Sequence, residues 1–108
     1  MRIILIGAES TGLGAQLAAQ LHLDHIHGPE QLAADGFVLE GWPRDLRDAQ
    51  ALDSALRSRA ADVDAVVWLG GGSEAVIDHY RGRVVEVPPG DDLLGSALDG
   101  LREVLLAA

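Results

Sequence analysis

The chain has no cysteine, few aromatic side chains and no long hydrophobic run. Without cysteine there is no disulfide framework and no thiolate nucleophile, a composition compatible with a reducing compartment, so a cytoplasmic location is expected. No apolar run approaches the ~18 residues of a membrane span, so no membrane partner is expected. The apolar run that begins at Ile3 reads as part of a first strand rather than a leader. Positive charge is scarce: eight cationic residues face 17 acidic ones, a formal net charge of −9. Like charges repel across a Debye length of about 8 Å, which works against nucleic-acid backbones and anionic membranes. The eight cations are all arginine, so the chain contains no lysine.

The 108 residues are enough for one domain, expected to span residues 1–108 and to bury roughly 65% of the unfolded surface without a metal or disulfide staple. Apolar β-branched runs alternate with amphipathic stretches, the pattern of a parallel sheet flanked by helices. Five strands are expected: Arg2 to Ile6, a weak one at Asp24 to His27, Gly36 to Glu40, Ala65 to Leu69, and Arg83 to Val87. Leu46, Ala49, Leu52, Leu56 and Ala60 recur at helical spacing and predict one buried face of a helix from Asp45 to Ala60. Leu94, Leu98, Leu101, Leu105 and Ala108 form the stripe of a closing helix, capped by Asp91 or Asp92 after a Pro88-Pro89-Gly90 turn. Gly70-Gly71-Gly72 ends the fourth strand, and Ser73 is placed to cap the helix after it.

Residues 7–14, GAESTGLG, follow the strand Ile3-Ile4-Leu5-Ile6 and open a helical pattern. That strand-loop-helix context is the setting of a Walker A phosphate loop, in which backbone N–H groups cradle phosphates, a lysine reaches the β/γ-phosphates and a hydroxyl holds Mg²⁺. Here Leu13 stands at the lysine position and Ala15 at the hydroxyl. Two readings follow. The glycines serve a tight turn and close helix packing, or they keep a phosphate or nucleotide at the helix N-terminus through Gly7, Ser10, Thr11, Gly12, Leu13, Gly14 and Ala15.

Read together with residues 36–44, GFVLEGWPR, the loop resembles the adenylate kinase family, whose members carry a glycine loop after the first strand and a G-F-[IVL]-[LI]-D-G-[FY]-P-R segment on a later one. The resemblance extends through Asp64-Ala65-Val66-Val67 and Asp78 to Arg83. It implies a doubly wound three-layer α/β/α core with five parallel strands in the order 2-3-1-4-5. Only the GPEQLAAD stretch stands where the family places its monophosphate-closing domain, and nothing remains of the ATP lid between Arg83 and Val84.

Carried over by position, the resemblance makes Arg44 and Arg83 the catalytic candidates, one gripping the monophosphate and one beside the transferred phosphoryl group. Glu40 stands at the aspartate that holds Mg²⁺ through water, Asp48 at an adenine-recognising glutamine, and His79 at another phosphate-gripping arginine. The implied ligands are Mg²⁺ with ATP, ADP or AMP. With lysine, hydroxyl and both closing segments missing, the expectation is a catalytically impaired relative that binds nucleotide or phosphate weakly and acts as an interaction module. A minimal nucleotide phosphotransferase or hydrolase using Arg44, Arg83 and the loop amides is the enzymatic alternative, and a twofold homodimer the structural one.

Three other features have bland readings beside functional ones. Arg44 and Arg83 have carboxylate-rich neighbourhoods and serve equally as salt-bridge partners. His22, Asp24, His25 and His27 invite a metal through their alternate spacing, but the sequence names no fourth ligand. Trp42 and Trp68 read as packing residues, with a base-stacking role open to Trp42.

Overall fold

The computed structural model describes residues 1–7, 11–28, 36–88 and 90–107. The elements run β1 (Arg2–Ile6), α1 (Leu13–Leu21), β2 (Asp24–Ile26), β3 (Phe37–Glu40), α2 (Leu46–Arg57), β4 (Ala65–Trp68), α3 (Glu74–His79), β5 (Val84–Glu86) and α4 (Leu93–Ala107). All strand pairings are parallel and the order is β2-β3-β1-β4-β5, the expected doubly wound arrangement. Among the described residues, no helix is long and apolar enough to cross a membrane.

The pleat divides the core into two layers. Ile3, Leu5, Val38, Ala65, Val67 and Val85 face α1 and α4, where they meet Leu13, Leu17, Ala97 and Leu101. Ile4, Phe37, Leu39 and Val66 face α2 and α3, meeting Ala49, Leu52, Leu56, Val76 and Tyr80. Alternate side chains point to opposite faces of a strand, so consecutive apolar residues are stable only where helices cover both sides.

The helix ends follow local chemistry. Asp45 caps α2 by accepting the Asp48 N–H at 2.8 Å. Of the two aspartates before α4, Asp92 supplies the cap, accepting the Gly95 N–H at 2.9 Å. Ser73 holds the N-cap position of α3 with no side-chain capping bond.

Two expected helix faces are corrected. Helix α2 ends at Arg57 rather than Ala60; Ala60 adopts φ 56° after the last turn and is exposed. Leu46 is also exposed, because first-turn side chains point back beyond the end of the layer. The buried face of α4 centres on Ala97 and Leu101, with Leu94, Leu98 and Val104 at its margin, and Ala108 lies outside the described residues. The reason is close approach: a Cβ on Gly100 would overlap the Val85 Cγ1 atom.

Between α2 and α3 lies a polar network inside apolar packing. The Tyr80 hydroxyl donates to Asp53 Oδ1 at 3.0 Å, and His79 Nε2 meets the other Asp53 oxygen. Burial pushes the Tyr80 phenol well above its usual range, and the Asp53 carboxylate pushes the same way by charge and by its hydrogen bond.

Two outcomes follow. Gly100→Ala should destabilise the fold by about 1–3 kcal/mol in urea denaturation despite alanine's better helix propensity, and Val85→Ala should offset part of that loss in the double variant. The folded phenol is neutral to higher pH than the unfolded one, whose pKa is about 10. Its contribution is therefore fully present below that pH and is lost as pH rises beyond it. Denaturation midpoints should fall more steeply above pH ~10 in the native chain than in Tyr80→Phe. Tyr80 is the single tyrosine, so phenolate absorbance reports its titration directly.

Candidate functional site

In an open parallel sheet the crevice for ligands lies beyond the carboxyl ends of the strands, where connections diverge to opposite faces. Here that edge collects Gly7 after β1, Gly41 to Arg44 after β3, and Gly70 to Ser73 after β4. Gly7 has φ 84°, and a Cβ there would overlap the Gly70 carbonyl oxygen, so the two strand ends approach too closely for any side chain.

The glycine loop turns its key residue inward. Gly12, at φ 72°, occupies the N-cap of α1 with no side-chain cap. Leu13 follows and is 1% exposed, packed in the α1/α4 layer with Leu17 and the sheet. Its N–H donates to Thr11 Oγ1 at 3.1 Å, so an amide at the lysine position is satisfied within the loop. Gly14 is also buried, while Thr11, Gly12 and Ala15 are exposed around the helix start. Ser10 lies outside the described residues.

Beside the loop is a cleft of about 150 Å³ lined by Leu5, Ile6, Trp42, Pro43, Arg44 and Ser73 together with Gly41 and Gly72. It is smaller than the roughly 300–1,000 Å³ that holds drug-sized ligands. Arg44 is the cation of this lining, with its side chain 78% exposed and its Nε 3.7 Å from Asp48 Oδ2. An exposed pair of this kind is worth little and leaves the guanidinium able to turn toward a ligand. Asp48 is held by α2: its N–H bonds Asp45, and its carboxylate accepts the Arg44 N–H at 3.2 Å. Asp48 is thus engaged at the first turn of a helix.

Arg83 is not brought to the same place. It precedes β5, and the register aligns Val84 with Val66 and, across β1, Ile4. Arg83 therefore lies at the amino edge of the sheet, about 10 Å along the strand direction from the Ile6 end. Its Nη1 donates to the Val63 carbonyl at 2.9 Å, and its guanidinium stands over the Tyr80 ring at 5.2 Å. His79 is likewise engaged, with Asp53 on α2. Helix α3 passes into β5 through a tight turn closed by the Arg83 N–H on the Tyr80 carbonyl at 2.9 Å, which leaves no inserted segment there.

Glu40 is buried, 8% exposed, and is absent from the cleft lining. Its Oε1 lies 2.8 Å from His25 Nε2, and a Cβ on Gly14 would overlap both atoms. His27 stands beside them, its ring 4.5 Å from that of His25. The implied Mg²⁺ does not fit this arrangement: Mg²⁺ takes oxygen ligands in an octahedron, whereas the one carboxylate here faces two imidazoles. Sequence spacing missed this pairing because Glu40 is 15 residues from His25. The signal that could have found it is strand parity: with His25 opposite Val38, Glu40 falls on the same face two residues on.

No family model matches the chain. It is similar to curated adenylate kinases: 35% identical over 69 residues to that of Mycobacterium tuberculosis H37Rv, 36% to that of Mycobacterium leprae TN, and 45% to that of Mycolicibacterium paratuberculosis K-10. Each match covers 64% of this chain and 37% of the relative. The chain therefore spans well under half the length of the curated relatives it matches. Sheet order, glycine loop and matched segment together establish a partial adenylate kinase-like relationship.

Proposed function

We propose that this chain is an adenylate kinase-related core, a single domain over residues 1–108, that holds a phosphate group weakly at the carboxyl edge of the sheet and does not transfer phosphoryl groups. The observation that carries this reading is Leu13: the side chain at the lysine position is 1% exposed and belongs to the core. Phosphoryl transfer is almost entirely positioning and electrostatic stabilisation, and losing one charged donor costs on the order of 10²–10³ in rate. The separation of Arg83 from the loop removes a second donor. What remains for an anion is Arg44, the exposed start of α1 and the amides around Gly7, Thr11, Gly12, Gly14 and Ala15. A cleft of about 150 Å³ suits a phosphate-sized group better than a whole nucleotide. Its role would then be binding or interaction rather than turnover.

A coupled assay with ATP, AMP and Mg²⁺ should give no turnover above background. Turnover abolished by Arg44→Ala would overturn the proposal and favour the minimal phosphotransferase. Inorganic phosphate at high concentration should raise the melting temperature slightly, and Arg44→Ala should remove that rise; a ligand at a hundred times its Kd stabilises by about 2.7 kcal/mol. Leu13→Lys should cost about 2–4 kcal/mol of stability, because a core leucine is lost, and should gain no transfer activity.

A further inference from the structure

We propose that His25, His27 and Glu40 form a binding site for a divalent transition-metal ion of the zinc class. The parallel register places His25 opposite Val38 and Ile26 opposite Leu39, so the next step sets His27 level with Glu40. Because alternate residues share a face, both imidazoles and the carboxylate lie on the α1 side of the sheet. One ligand atom from each of the three can be chosen so that all lie within 4.8 Å of one another.

The chemistry of the set is selective. Two imidazole nitrogens and one carboxylate oxygen suit zinc and its neighbours, whereas Mg²⁺ and Ca²⁺ prefer all-oxygen shells. Three protein ligands leave a fourth tetrahedral position for water or another ligand. Donors about 2.0–2.1 Å from a tetrahedral ion lie about 3.3 Å apart, so closing from at most 4.8 Å asks for a movement on the order of 1.5 Å. His27 is exposed and supplies that movement, while His25 and Glu40 already meet at 2.8 Å.

The surroundings define the approach. Gly14 closes the α1 side, since even a Cβ there would overlap His25 Nε2 and Glu40 Oε1. An ion therefore enters from the His27 side, at the β2 edge of the sheet. It would replace the hydrogen bond between His25 and Glu40 with a charge interaction at a buried carboxylate, where a cation is worth more than in water. A net charge of −9 further favours cation capture.

The test is zinc titration of the full chain, monitored by calorimetry and by competition with a chromophoric chelator, with Co²⁺ as the spectroscopic probe. One equivalent should bind, and Co²⁺ should give the visible absorption of a low-coordinate nitrogen and oxygen site. His27→Gln, at an exposed position that leaves the core intact, should weaken zinc at least about tenfold. Glu40→Gln should weaken it as well, and His22→Gln, outside the cluster, should leave it unchanged. A millimolar excess of Mg²⁺ should not displace the ion. Failure to bind one equivalent, binding unaltered in His27→Gln, loss in His22→Gln, or displacement by Mg²⁺ would each overturn the assignment.

Discussion

A central strand with no solvent on either face is the constraint on which the rest of this structure depends. Ile3, Ile4 and Leu5 of β1 are at most 1% exposed, so helices must cover both sides of the sheet and every neighbour must also be apolar in its middle. Within the sheet itself, polar chemistry is then confined to the strand ends and to the β2 edge. The phosphate-type loop, the cleft with Arg44 and the histidine pair all sit where this rule permits them. Glu40 sits there too, the one buried charged residue among those described.

The same constraint shapes the fate of the glycine loop. A cationic side chain that serves a phosphate must leave the helix start toward the ligand, whereas Leu13 turns from the first turn of α1 into the layer that β1 and α4 complete. One position cannot do both. Leu13 serves packing, and its own N–H is satisfied by Thr11 Oγ1 within the loop. At the far edge Arg83 lies over Tyr80 and bonds the Val63 carbonyl, so its cation stabilises a turn. The sheet has the order of an adenylate kinase-like core, while Arg83 and His79 are engaged by neighbouring parts of the fold.

Beneath the start of α1 the sheet is unusual in carrying imidazole and carboxylate where its neighbours carry valine and leucine. Gly14 makes this possible, because only a residue without a side chain lets α1 rest on His25 and Glu40. The start of the loop helix thereby rests on β2 and β3.

Much of the fold was legible in the chain. The alternation of β-branched runs with amphipathic stretches is enough for five strands of a parallel sheet, because that signal is local and periodic, whereas their order was implied by the resemblance that GAESTGLG and GFVLEGWPR carry. Residue type also narrowed the cap of α4 to Asp91 or Asp92, and the structure assigns it to Asp92. The ends of α2 and the true face of α4 were not legible, since Ala60 leaves the helix and Gly100 against Val85 decides how α4 sits. At the site, the sequence by itself determined which charges were missing and which remained. Only the tertiary structure decided that Leu13 is core, that Arg83 lies at the edge opposite Arg44, and that Glu40 faces His25. Each of these depends on strand register and on which face a side chain takes, quantities set by contacts between residues far apart in the chain.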